Sequence, residues 1–434
     1  MISSRRLRKR SDRDTVVMRR HRPDYQIVLY MGLLMLIGLV IMYAIGPQRA
    51  NVMNNAYNTD FYTSTYFFIK QLTSLILALF AFIAMALIPY HLVIKHAGKI
   101  LAAGFIACIV LFIFGNLMDG KVIAQCSLGA CRWFDLGPFG GMQPAEFLKF
   151  GLLLFAAVFL GTRAKQGLIN DRSQTLIPLG VVTGLALFFV VVLQKDMGTG
   201  ISIISLLLVM LFMAGIKYRY GLMILGLLIL VGIIFILIAP HRIERVVTFL
   251  SGDGSSVNDA GAYHITHAKI AIGTGGLAGV GIGNSVQATG YLPEAINDSV
   301  FAIIGETFGF VGLVAILSMF TALLIRLLKV SDHLPDPRLQ LIVVGVFGWV
   351  AAHVVLNVNA MIGLLPLTGI TLPLLSYGGT SMVFIAAALG LAFQLSRYTV
   401  FGSKLRGNEY EDSQRRRGFG RTRDAGRRST RRVA

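Results

Sequence analysis

Apolar residues run almost unbroken through ten stretches of the chain, near 26–46, 66–88, 98–117, 144–162, 175–193, 197–216, 220–239, 299–327, 340–363 and 372–396. Each is about 20 residues long or longer, the length a helix rising about 1.5 Å per residue needs to cross a hydrocarbon layer about 30 Å thick. In lipid every backbone N–H and C=O must find its partner inside the protein, so the pattern predicts an all-α polytopic membrane protein with ten transmembrane helices. The connections are of two kinds. Short basic ones carry Lys95 and Lys99, then Arg163, Lys165 and Arg172, then Lys217 and Arg219, then Arg326, Lys329 and Arg338. Longer ones lie near 47–65, 118–143 and 240–298. An even number of spans puts both termini on one side, and the positive-inside rule makes that side cytoplasmic. The long extracytoplasmic loop between helices 7 and 8 (240–298) carries glycine-spaced apolar turns such as IAIGTGGLAGVGIGNS (270–285), so it should fold back onto the membrane surface. No small-residue cleavage site follows the first span, which is read as retained.

Composition sharpens this picture. Of 434 residues, 55% are hydrophobic and 14% charged, against about 25% charged in a soluble domain, which excludes a soluble enzyme. The net charge is +19, and two tails supply most of it: residues 1–24 hold nine Lys or Arg against three Asp, and residues 397–434 hold twelve against four acids. The chain therefore divides into a basic cytoplasmic tail (1–25), a membrane domain (26–398) and an Arg-rich cytoplasmic tail (399–434). Basic runs flanking lipid-embedded segments suit anionic lipid or a cytoplasmic partner, and no nucleic-acid partner is expected.

Ionisable groups within spans cost about 2.5–3.5 kcal/mol each on insertion scales, so each needs a reason. Lys70 opens the second span, Glu146 and Lys149 open the fourth, Asp196 sits between the fifth and sixth, and Glu306 lies early in the eighth. All five fall near the outer ends of their spans, which predicts one polar cavity opening outward; helix-packing hydrogen bonds or an internal Glu146–Lys149 pair would explain some of them equally well. Asn357 and Asn359 on the ninth span are read as packing residues. The outer loop adds Arg242, Glu244, Arg245, Lys269, Glu294 and Asp298. Two arginines three apart suit a phosphate or lipid headgroup. Asp298 directly precedes an apolar helix and occupies an N-cap position, which by itself accounts for an aspartate there. His264 and His267 lack a third metal ligand, whereas Cys126 and Cys131 share an outer loop where a disulfide is permitted. There is no Walker motif, no G-x-S-x-G and no paired-cysteine zinc signature.

Four blocks carry a resemblance: RWFDLGPFGGMQPAEFLKF (132–150), QKDMGTG (194–200), GYLPEAINDSVFAIIGETFGFVG (290–312) and GLLPLTGITLPLLSYGGTSMV (363–383). In order and spacing they resemble the SEDS family, the shape, elongation, division and sporulation proteins that include FtsW, RodA and SpoVE, over roughly residues 26–398. The resemblance implies the ten-helix SEDS-type fold and a peptidoglycan glycosyltransferase that polymerises lipid II into glycan strands on the outer membrane face, releasing undecaprenyl pyrophosphate. It also implies a class B penicillin-binding protein, an FtsI-like transpeptidase, as partner among other divisome proteins. The family's catalytic carboxylate maps onto Asp298, which moves that residue from cap to general base. Lys70, Arg242, Arg245 and Lys269 become candidates for the pyrophosphate. Trp133, Glu146, Lys149, Asp196 and Glu306 become candidates for the rest of the substrate-binding cavity. No cofactor is assigned, although a divalent metal such as magnesium or manganese could assist the leaving group. The chain departs from the family at Ile296–Asn297, where His-Thr is usual, at Lys195 in place of proline and at Thr307 in place of a second glutamate. GVGIGNSVQATGYLPEA (279–295) and the basic N-terminal extension lean towards the division branch and the septum, YHITHAKIAIG (263–273) towards the elongation branch. Division is favoured. A lipid II flippase without chemistry and a scaffold that only recruits the transpeptidase are the other readings.

Overall fold

The computed structural model describes residues 21–117, 124–127, 130–135, 137, 140–224, 226 and 260–400. Its main helices are α1 (Tyr25–Tyr57), α2 (Tyr66–Leu87), α3 (Tyr90–Phe112), α4 (Pro144–Lys165), α5 (Ile177–Leu187), α6 (Met197–Met213), α7 (Ala260–Thr274), α8 (Val300–Asp332), α9 (Pro337–Met361) and α10 (Gly379–Leu395). Among the described residues eight helical segments are long and apolar enough to cross a membrane, while α6 is apolar but shorter. The seventh expected span, 220–239, falls largely outside the described residues, as do Arg242, Glu244 and Arg245. α7 belongs to the loop, so the ten helices named here are not the ten expected spans.

Helices α4, α9 and α10 bury most of their apolar windows inside the protein and form its centre, whereas α2, α3 and α5 turn most of theirs outward. An apolar exterior is what lipid as solvent requires. The basic ends gather on one face. Asp24 pairs with Arg326 at 2.7 Å, and Asp336 pairs with Arg338 at 2.8 Å and Lys165 at 2.9 Å. Burial works to raise Asp336, but its hydrogen bonds to Arg338 and Lys165 outweigh that and hold its carboxyl down at about 2. The chain ends join the same face: His21 N donates to Arg397 O (2.7 Å), Asp24 N to Ser396 Oγ (2.8 Å) and Val400 N to His333 O (2.8 Å).

Several expectations change. Helix α1 continues through Pro47 to Tyr57, well past the apolar run that ends near 46, so the 47–65 connection is mostly helix. The 118–143 connection contains a three-stranded antiparallel sheet, β1 (Ala124–Ser127), β2 (Ala130–Asp135) and β3 (Gly141–Met142), so the fold is not purely α. The tenth span starts at Gly379 rather than 372, because Leu372–Gly378 forms turns in which Ser376 N reaches Leu372 O and Leu372 N reaches Ser376 Oγ.

The eighth span is broken at Gly309 (φ 65°, ψ −164°). The interruption frees backbone groups, and the loop after α7 takes them up. Val280 N and Gly281 N donate to Glu306 O and Thr307 O at 2.9 and 3.1 Å, while Phe310 N and Val311 N donate to Gly276 O and Leu277 O at 2.9 and 3.2 Å. Gly309 lies 17 residues from Arg326, about 25 Å along the helix, so this exchange sits near the far boundary of the hydrocarbon. A Cβ on Gly309 would approach Gly279 N to 2.4 Å in addition to straining the left-handed φ. Gly309→Ala should therefore lower stability by about 1–3 kcal/mol, measured as an earlier thermal transition of the detergent-solubilised protein. Gly32→Ala, whose added Cβ meets nothing within 4 Å, should cause no such loss.

Candidate functional site

At the face opposite the basic loops, a cavity of about 1130 Å³ lies between α2, α4, α10, the β2–β3 wall and the loops preceding α8 and α10. Its polar end is lined by Lys70, Arg132, Trp133, Glu146, Asp196, Glu294, Asp298, His353 and Tyr377; Leu77, Phe80, Val383 and Phe384 make the other end apolar. Such a space suits a molecule with a charged head and a hydrocarbon tail.

Asp298 stands in the loop before α8. The N-cap of that helix is Ser299, not Asp298, so the capping explanation fails for the aspartate. Ser299 Oγ donates to Pro293 O at 2.8 Å, which leaves it an acceptor for His264 Nε2 at 2.6 Å. Asn357 Nδ2 holds the backbone carbonyl of Asp298 at 2.7 Å. Asn357 lies 20 residues along α9 from Pro337, about 30 Å, so Asp298 sits one hydrocarbon thickness from the basic face. Its side chain is buried, and Oδ1 has no hydrogen-bond partner among the described residues. Burial pushes the Asp298 carboxyl up to about 7, and the negative charge of Glu294 adds to the rise.

The other predicted residues separate into those at the cavity and those beside it. Glu146 lines the cavity and is paired at 2.7 Å with Lys149, which is fully buried behind it. Lys149 Nζ also lies 3.2 Å from His353 Nε2 and over the Trp349 ring at 4.6 Å. This internal pair is the packing alternative left open by the sequence. Asp196 lines the cavity but is also the N-cap of α6: its carboxylate accepts from Thr199 N (2.9 Å), Thr199 Oγ1 (2.8 Å) and Gln143 Nε2 (2.7 Å). Glu306 does not line the cavity. It is buried and accepts from Ser285 Oγ (2.5 Å), Val286 N (3.0 Å) and Gln287 N (3.2 Å), which makes it the fastening of the loop onto α8. Lys269 is likewise absent from the lining; its stem packs on Gly363 at the end of α9. The two histidines go to different partners, His264 to Ser299 and His267 to Gln287. Among the described residues no group of three or more Asp, Glu, His or Cys could hold a metal ion.

Sequence reasoning missed Arg132, Gln143 and Tyr377. Arg132 Nε and Nη2 donate to Gln194 O (3.0 Å) and Lys195 O (2.9 Å), tying the sheet to the turn before α6. Its place next to Trp133 in the RWFD run was the available signal. In β1–β2 the register places Cys126 opposite Cys131, and the two are joined by a disulfide. Cys108 is buried and unpaired with any other cysteine. Denatured, unreduced protein should therefore take up one thiol reagent, and reduced protein three, by intact mass.

Residues 25–400 match the cell cycle protein family that groups FtsW, RodA and SpoVE. The chain belongs to that family. It is 33% identical over 381 residues to the stage V sporulation protein E of Bacillus subtilis, covering 87% of this chain and 98% of that protein. It is 30% identical over 399 residues to the probable peptidoglycan glycosyltransferase FtsW of the same organism, covering 89% and 93%. Among solved structures, a chain of a peptidoglycan synthase complex superposes with a TM-score of 0.66 at 24% identity, covering 86% of this chain and 98% of that one. The rod shape determining protein RodA of Thermus thermophilus superposes with a TM-score of 0.61 at 22% identity, covering 87% and 98%. At these identities the structural likeness is one of fold.

Proposed function

We propose that this family member is a peptidoglycan glycosyltransferase that polymerises lipid II on the outer face of the bacterial cytoplasmic membrane, with Asp298 as general base. The observation that carries the reading is a buried carboxylate with an unpartnered oxygen, held at the hydrocarbon boundary in a cavity polar at one end and apolar at the other. Relatives named as probable peptidoglycan glycosyltransferases FtsW support it.

In the proposed step the 4-hydroxyl of an acceptor GlcNAc attacks the anomeric carbon of the donor. The hydroxyl proton passes to Asp298, the new glycosidic bond forms with inversion, and the bond to the lipid pyrophosphate breaks. A carboxyl near neutrality is matched to that task, because enough of it is ionised at working pH while its affinity for the proton stays high. Among the described residues Lys70 is the one of the four candidate cations that lines the cavity, and it is our candidate for meeting the departing pyrophosphate. Trp133 offers a flat face to a sugar or polyprenyl unit, and Leu77 and Phe80 offer an apolar track for the chain. A transpeptidase of the penicillin-binding class is the natural partner of a strand polymerase, and the division septum, with both termini cytoplasmic, its place of work.

Glycan formation from labelled lipid II, by the full-length protein with such a transpeptidase, tests the reading. Wild type should make polymer, and Asp298→Ala and Asp298→Asn should lose it with their melting behaviour intact. Equal polymer from all three would remove Asp298 from the chemistry, and flipping of lipid II without polymer would replace the enzyme with a transporter. The base acts when deprotonated, so kcat/KM should rise with pH through about 7 and level off above it. Glu294→Gln removes the like charge beside it and should move that rise to lower pH.

A further inference from the structure

The residue that holds the Asp298 carbonyl, Asn357, belongs to a polar row on one face of α9. Trp349, His353 and Asn357 follow at intervals of four, so their side chains stack along the helix towards the cavity. His353 Nε2 is 3.2 Å from both Trp349 Nε1 and Lys149 Nζ. The indole nitrogen can only donate and the ammonium can only donate, so Nε2 accepts and the ring proton is on Nδ1, 3.4 Å from Thr371 O. One helical turn on, Asn357 Nδ2 uses both of its hydrogens on carbonyls, Asp298 O at 2.7 Å and Ile370 O at 2.8 Å. Two neighbouring carbonyls of the loop before α10 are thus taken by α9, and one of the two side chains involved also reaches the residue proposed as base. A second tie joins the same loops, Tyr377 N to Ile296 O at 2.8 Å.

This arrangement is specific to an amide. Serine offers one donor and ionised aspartate and leucine none, whereas the NH2 of an asparagine bridges two carbonyl oxygens from a single uncharged nitrogen. The bridge is buried, with Asn357 1% exposed, so water is a poor substitute for it. Oδ1 of Asp298 has no hydrogen-bond partner among the described residues, and the amides that act on the carboxyl are those of Asp298 and Ser299 themselves, so the direction of the carboxylate depends on the backbone to which it is attached.

We infer that Asn357 is a positioning residue for Asp298: by bridging the carbonyls of Asp298 and Ile370 it sets where the carboxylate stands relative to the cavity, touching neither substrate nor carboxylate. The inference rests on the proposed glycosyl transfer and assigns this asparagine to geometry rather than to helix packing, the role that its place on an apolar span suggests. A shift of about 1 Å in a reacting group can cost about 100-fold in rate without weakening substrate binding, which is the signature to look for.

The test uses the full-length protein with its transpeptidase partner and labelled lipid II, comparing wild type with Asn357→Leu, which keeps the shape and removes both donors. The expected result is a fall in kcat of about 100-fold with KM little changed and the melting transition retained. A second reading needs no turnover: the rate at which a water-soluble carbodiimide labels Asp298 at fixed pH, followed by peptide mass spectrometry, should increase in Asn357→Leu as the loop loosens. Wild-type kcat and wild-type labelling in the variant would overturn the inference, as would a rise in KM at unchanged kcat, which would make Asn357 a substrate contact. Should Asn357→Leu fail to fold, Asn357→Ser, which retains one donor, decides in the same way: reduced kcat at constant KM supports positioning and wild-type kcat ends it. If wild type makes no polymer but labelling of Asp298 still quickens in the variant, the positioning stands and the glycosyltransferase reading falls.

Discussion

The irregular backbone at the far end of the bundle must find hydrogen-bond partners within the protein, and most of the outer architecture follows from that demand. A helix satisfies its own amides, but the loops before α8 and α10 and the loop after α7 do not, and they sit against the far ends of the helices. The break at Gly309 meets the demand by giving as well as taking. Two carbonyls and two amides lost from α8 become two carbonyls and two amides available to residues 276–281. Glu306, one turn earlier, finishes the task by collecting the next amides at Val286 and Gln287. Asn357 does the same work for the loops that flank Asp298.

Polar groups at membrane depth in this protein consequently fall into two populations that the sequence alone does not separate. Glu306 and Asp196 spend their oxygens on backbone amides and hydroxyls, and their charge is a means of holding chain. Asp298 has an oxygen left over, and Glu146 keeps Oε2 unpartnered beside the cavity although Lys149 takes the other oxygen. Unused acceptor capacity in a buried place is costly, and in a carboxylate beside a large cavity it leaves an oxygen available to a ligand.

How far the sequence could be read depended on whether a feature was local. Apolar length located α2, α4 and α9 to within a few residues, because hydropathy and helix length are tied by membrane thickness. It failed at Tyr57, since nothing apolar marks the part of α1 that leaves the lipid, and at 372, where Pro373 and the Gly378–Gly379 pair delay the helix within an otherwise apolar run. Of the five polar residues at span ends that pointed to one cavity, Lys70, Glu146 and Asp196 line the observed one. Lys149 and Glu306 were carried along because distance from a span end says nothing about which side of a helix faces which neighbour. The bridge by Asn357 joins positions 59 and 13 residues away, and no local pattern could have disclosed it.

The pairing of the two chain ends has a further consequence. Residues 21–24 and 396–400 are bonded to each other and to the α8 terminus, so the two ends of the described membrane domain lie side by side on its surface. The two tails carry +14 of the chain's +19 in sequence. The face beneath α1, α8 and α10 is thus where both ends of the described chain meet.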